Sequence, residues 1–109
     1  MIQEIKTLED LNDAKSKPAS VVYFHTEDCG VCHVILPELE QIVTSEFPKM
    51  DIYVVNANSA LEICASQSVF TFPTVLIFFE GKETLRIARN INLGQFRQSV
   101  GRLYNLMFN

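Results

Sequence analysis

No apolar run in this chain is long enough to cross a bilayer. The longest, Val75-Leu76-Ile77-Phe78-Phe79, falls far short of the ~20 residues a membrane helix needs. The first residues, Met1-Ile2-Gln3-Glu4-Ile5-Lys6, lack the basic segment and apolar stretch of a secretory signal. The protein is therefore expected to stay in the cytoplasm, away from membranes. There is no Lys/Arg cluster, and the formal net charge is −4. That balance argues against nucleic acid or an anionic lipid surface as a partner and fits ordinary solubility. Cysteine is scarce: three residues, of which two form a close pair. An odd count of this kind is not the disulfide framework of a small secreted protein. In a reducing compartment, Cys-x-x-Cys points instead to redox catalysis or metal binding. Repeats, linkers and low-complexity tracts are also missing.

The chain itself is 109 residues long and 48% hydrophobic, enough for one core without staples. With 20% charged residues it does not read as disordered. One domain over residues 1–109 is expected, acting as a monomer.

Apolar periodicity sets out the elements. Ile2 to Ile5 alternates as a short strand does. Thr7, with Asp10 three residues later, resembles a helix start, and Lys17-Pro18 ends that helix. Val21-Val22-Tyr23-Phe24 is a continuous apolar strand of the kind buried on both faces. Thr26 to Gly30 is a turn. From Val31 to about Phe47, Val31, Ile35, Leu39, Ile42 and Val43 recur at helical spacing, with Pro37 inside the helix and expected to kink it. Ile52 to Val55 is a third strand, and Ala60 to Ala65 a short helix. Val75 to Phe79 and Thr84 to Ala88 form a hairpin about Glu80-Gly81-Lys82. A last helix begins near Asn92, with Phe96, Val100, Leu103 and Met107 as its buried stripe. The order is βαβαβαββα, which predicts an α/β fold: a mostly parallel sheet with a C-terminal antiparallel hairpin, covered by helices on both faces.

The chemistry concentrates in Cys29-Gly30-Val31-Cys32, which follows a buried strand and opens a helix. Two cysteines three apart at a helix start can close a small disulfide ring. The first lies where backbone N–H groups are unpaired and the helix dipole is positive. That setting favours the thiolate, so Cys29 is expected to titrate below a free cysteine. The second, one turn in, is more shielded and placed to attack a mixed disulfide formed at the first. Glu27 and Asp28 oppose the dipole with negative charge, and a protonated His33 counters them.

This arrangement resembles the thioredoxin family over nearly the whole chain. The matching features are the strand, CGVC motif and helix unit, Pro37 five residues after Cys32, Phe72-Pro73-Thr74 ahead of the fourth strand, and Gly81 in the hairpin turn. The resemblance implies the thioredoxin fold and dithiol–disulfide exchange through Cys29 and Cys32. It implies a cis peptide at Pro73, and a substrate segment paired with the backbone of Phe72. It also implies protein disulfides as substrates, with a disulfide reductase or low-molecular thiol to recharge the protein and no cofactor. The inferred compartment points to the reductive direction.

Three departures stand out. The family usually carries Trp-Cys-Gly-Pro-Cys, whereas this chain has Asp28 before Cys29, Val31 between the cysteines, and no Trp. The family's buried acid, six residues ahead of the first cysteine, falls on Tyr23, and its partner lysine falls on Val54. Proton transfer to and from Cys32 then passes to water, His33 or Glu27. Phe72 is bulky for the residue before the proline and is expected to reshape the substrate groove. Gly30, Val31, His33 and Glu27 are thus candidates for tuning the thiols.

Other readings of these residues remain open at this level. The cysteine pair fits a purely structural bridge, and Cys29 to His33 also matches a c-type haem attachment pattern, though the flanking elements suit an oxidoreductase better. A structural zinc site needs about four ligands. Cys29, Cys32, His33 and Cys64 supply them only if Cys64 lies close, and the topology puts its helix elsewhere, so no metal is expected. Cys64 reads as a small core residue, with a regulatory or dimer-forming role as the alternative. His25 ends the second strand near the motif, as a satisfied polar residue or a tuner of the thiols. Phe24, Phe78 and Phe79 read as core. A thioredoxin-fold binding module or redox sensor with little turnover is the main functional alternative.

Overall fold

The computed structural model describes residues 2–108. The elements follow in the order β1 (Ile2–Glu4), α1 (Leu8–Lys15), β2 (Ala19–His25), α2 (Gly30–Glu46), β3 (Asp51–Asn56), α3 (Leu61–Ser66), β4 (Thr74–Phe79), β5 (Lys82–Ala88) and α4 (Leu93–Phe108). The five strands make one sheet in the order β1-β3-β2-β4-β5. β1, β3 and β2 run parallel, while β4 and β5 are antiparallel to their neighbours. The β2 and β4 positions are buried almost throughout, as their continuous apolar sequences require of strands covered on both faces.

Alternation along the strands divides the core in two. Val22, Phe24, Val55, Leu76 and Phe78 face α1 and α3, packing with Leu11, Ala14, Ile63 and Cys64. Val21, Tyr23, Ile52, Val75 and Ile77 face α2 and α4, packing with Cys32, Leu39, Val43, Phe96 and Val100. Phe24, Phe78 and Phe79 all lie in these cores. The start of α1 is held by a reciprocal cap. Thr7 Oγ1 accepts from the Asp10 N–H, and Asp10 Oδ2 accepts from the Thr7 N–H. The aspartate, though shorter than the usual glutamate, reaches back across the turn.

α2 is one uninterrupted element with Pro37 inside it. Its buried stripe differs from the expected one at the first turn. Val31 is 52% exposed, and Cys32 takes the inward position instead. The stripe runs through Cys32, Leu39 and Val43, flanked by Ile35, Leu36 and Ile42. The reason is rotational: residues 32, 39 and 43 repeat at the 3.6-residue period, and Val31 sits about 100° away from them.

Candidate active site

β2 and β3 deliver their C-terminal ends to one edge of the sheet, the usual place for a site in an open α/β layer. The turn that follows β2 is tied to the end of β3. Ala57 N–H donates to the His25 carbonyl at 2.8 Å, Glu27 N–H donates to Asn58 Oδ1 at 2.8 Å, and Asn56 Nδ2 donates to Glu27 Oε2 at 2.9 Å. The turn closes when Cys29 N–H donates to the Thr26 carbonyl at 3.3 Å, and α2 starts.

Cys29 is the N-cap of α2. Its backbone is extended, and its Sγ accepts from the Cys32 N–H at 3.2 Å. The sulfur therefore takes one of the donors that the first turn leaves without an intrahelical partner. Cys29 and Cys32 are joined as a disulfide with their Cα atoms 5.3 Å apart. Their exposure is unequal: Cys29 is half-buried, whereas Cys32 is 1% exposed. Gly30 and Val31, between them, are both exposed. A Cβ on Gly30 would meet nothing within 4 Å, so glycine there relieves no clash.

Tyr23 lies directly behind the pair. Its hydroxyl donates to the Cys32 carbonyl at 2.8 Å inside the core, and burial pushes the phenol up to about 12. Its Cα partner across the sheet is Val54, so neither member of the acid and lysine pair is represented by a charge. The two side chains named as proton carriers are already engaged. The carboxylate of Glu27 accepts from Asn56. Nε2 of His33 lies 2.9 Å from the Glu27 carbonyl; a carbonyl only accepts, so that nitrogen carries the proton. The His25 ring neighbours two others, its centroid 6.3 Å from that of Tyr23 and 6.2 Å from that of His33.

The Phe72–Pro73 segment reaches the same edge of the sheet. Thr74, the first residue of β4, pairs with Phe24 of β2, which sets Pro73 level with the end of β2. The Phe72–Pro73 peptide is cis. Phe72 is half-buried, and Pro73 is buried. Thr74 Oγ1 donates to the Thr71 carbonyl at 2.7 Å. Cys29 and Phe72 both pack against the core under α2 and α4. Cys64 is different: it is buried in the core of the opposite face, and burial pushes its thiol up. The sheet thus separates it from the cysteine pair.

Two contributors to this region were not read from the sequence. One is the partner of the Tyr23 hydroxyl, for which position 23 gives no local signal. The other is the side chain of Arg86, which donates to the Gln67 and Ser68 carbonyls ahead of Phe72. The only trace of it in the sequence is an acid and a base three residues apart, Glu83 and Arg86.

A disulfide at a helix start, with one sulfur reachable and the other enclosed, is suited to exchange by attack at the outer sulfur. Comparison with known proteins agrees. The thioredoxin family model matches residues 6–101. The thioredoxin-like protein YdfQ of Bacillus subtilis (strain 168) is 38% identical over 95 residues, covering 87% of this chain and 84% of that protein. Thioredoxin-1 of Saccharomyces cerevisiae is 27% identical over 92% of this chain and 96% of its own length. The crystal structure of thioredoxin from Trypanosoma brucei brucei superposes with a TM-score of 0.86 at 25% identity, covering 96% of this chain and 92% of that one. Sequence, fold and paired cysteines thus lead to one conclusion: the chain belongs to the thioredoxin family and is a thiol–disulfide oxidoreductase.

Proposed function

We propose that the protein reduces protein disulfides, with Cys29 as nucleophile and Cys32 as resolving thiol. In the dithiol form the Cys29 thiolate attacks one sulfur of a substrate disulfide. A mixed disulfide forms, and the other substrate sulfur leaves as a thiolate. The Cys32 thiolate then attacks Cys29 Sγ, closing the Cys29–Cys32 bond and releasing the second substrate sulfur. Two electrons pass to the substrate, and its two sulfurs end as thiols once protonated. A disulfide reductase or a low-molecular thiol returns the electrons to the pair. In this reading the backbone of Phe72, beside Pro73, receives an extended segment of the substrate. The protein works as a single-domain monomer in the cytoplasm.

The observation that carries the reading is the unequal burial of two bonded sulfurs at one helix start. A nucleophile must be reached, and a resolving thiol is best kept from solvent and competing disulfides. No helix among the described residues is long and apolar enough to cross a membrane. Insulin reduction with dithiothreitol as electron source is the test. Turnover above dithiothreitol alone that is abolished by Cys29→Ser supports the reading. Turnover no faster than dithiothreitol alone contradicts it. One observation favours a second reading, a redox sensor or binding module: Tyr23 donates a fixed hydrogen bond where the family places an acid. Slow turnover together with a reversible Cys29–Cys32 couple is the result that reading expects.

A further inference from the structure

One charged cluster beside the Phe72–Pro73 loop takes no part in the exchange chemistry. Arg86 of β5 spreads its guanidinium over four acceptors. Nε donates to Glu83 Oε2 and Nη2 to Glu83 Oε1, each at 2.8 Å. Nη2 also donates to the Gln67 carbonyl at 2.8 Å, and Nη1 to the Ser68 carbonyl at 3.1 Å.

A regular strand would not allow this cluster, because side chains three residues apart point to opposite faces. The pairing of β4 with β5 explains it. Leu76 pairs with Arg86 and Ile77 with Leu85, but Phe78 pairs with Glu83. Thr84 is therefore the extra residue of a β-bulge, and it resets the alternation. Glu83 and Arg86 come to the face that packs on α3, while Leu85 and Ile87 keep to the face of α2 and α4. Thr84 Oγ1 donates to the Ile77 carbonyl at 3.1 Å, within the irregular stretch.

The carbonyls that Arg86 takes belong to the end of α3 and the turn after it. Such groups lack intrahelical partners, and a cation suits that end of a helix. Ser68, in this turn, has a φ of 54°, a conformation non-glycine residues adopt only when the surroundings impose it. From here the chain runs directly to Phe72. At the far end of the loop the Arg89 N–H donates to the Pro73 carbonyl at 2.9 Å. β5 and the residue that follows it thus hold the loop at both ends, by the Arg86 side chain at one and by the Arg89 backbone at the other.

We propose that the Arg86–Glu83 fork is a positioning device for substrate recognition. By fixing the Gln67–Ser68 turn, it sets where the Phe72 backbone meets an extended substrate segment. This rests on the reading that Phe72 receives the substrate. Arg86 does not touch the reacting sulfurs, so exchange at Cys29 is untouched by its loss. Only a substrate that needs the loop is affected.

The test compares wild type with Arg86→Gln, which keeps the aliphatic stem and a polar end but loses the charge and the fork. Each is measured with insulin and with a small aromatic disulfide, and the Cys29–Cys32 reduction potential is measured against glutathione. The expected result is a KM for insulin raised roughly fivefold to tenfold at unchanged kcat, the pattern of lost uniform binding. The small-disulfide rate and the potential stay at wild-type values, and Arg86→Lys falls between. A KM for insulin within about twofold of wild type, equal losses on both substrates or a shifted potential overturns the proposal. Should Arg86→Gln fail to fold, Glu83→Gln is measured in the same way. A smaller KM rise in the same direction supports the proposal, and no rise overturns it. Wild type showing no turnover of insulin would sink the reductase reading itself. An active wild type with an unaffected variant would sink the positioning role alone.

Discussion

Tyr23 replaces a charge with a fixed hydrogen bond at the back of the site. Its hydroxyl is fully committed to the Cys32 carbonyl, and its ionisation is held off to about 12 by burial, so near neutrality it cannot take the proton of Cys32. Removing the hydroxyl with Tyr23→Phe is expected to cost ~1 kcal/mol of stability, the usual net worth of one such bond. Urea unfolding of the oxidised protein at neutral pH measures it. The pH dependence has a definite sign. The native phenol keeps its proton to about 12, whereas an ordinary tyrosine releases it near 10. The native state therefore binds more protons than the unfolded chain within that window, and stability falls as the pH rises through it. Below the ordinary value the contribution is fully present. Tyr23→Phe should flatten the alkaline decline, leaving the part due to Tyr53, whose phenol is also raised, first by burial and then by the nearby carboxylates of Asp51 and Asp13. A decline of the same steepness in the variant would refute this assignment.

Among the elements, helices α1 and α2 are capped by different chemistry. α1 opens with the Thr7–Asp10 box, and Thr7→Ala is expected to cost ~1 kcal/mol in the same unfolding measurement. An unchanged midpoint would mean the cap is not formed in solution. α2 opens with a sulfur in place of an oxygen, so the residue that caps the helix is the one assigned the nucleophilic role. Most of these elements were legible from local pattern: the continuous apolar runs of β2 and β4, the Thr7–Asp10 spacing, the stripe of Phe96 and Val100. Val31 was misread because its spacing from Ile35 fits a helix as well as that of Cys32 from Leu36 does. Only the rotation of α2 against the sheet decides between them. The bulge at Thr84 was not legible at all. Thr84 to Ala88 alternates regularly within itself, and the extra residue exists only relative to β4. Its consequence, Glu83 and Arg86 on one face, is tertiary information.

At the scale of the molecule, the sheet is a partition. The pair Cys29 and Cys32 belongs to the core under α2 and α4, and Cys64 to the core under α1 and α3. The motif could be placed from sequence because a strand and a helix flank it directly. The segment proposed to receive the substrate, Phe72–Pro73, lies far along the chain and arrives through the pairing of Phe24 with Thr74. The resemblance to a family pointed to that segment; no local pattern could. The strand order β1-β3-β2-β4-β5 is likewise absent from the strand sequences, since β3 pairs outside β2 and inside β1.

In the proposed reaction Cys29 captures a substrate sulfur and Cys32 displaces it. The most direct measurement is intact-mass analysis of reduced Cys32→Ser after incubation with a disulfide-bonded peptide. The expected product is one peptide half bound through Cys29, stable until a thiol is added, with no such adduct in a Cys29→Ser variant. An adduct at Cys64, or none at Cys29 while the fold is intact, would contradict it.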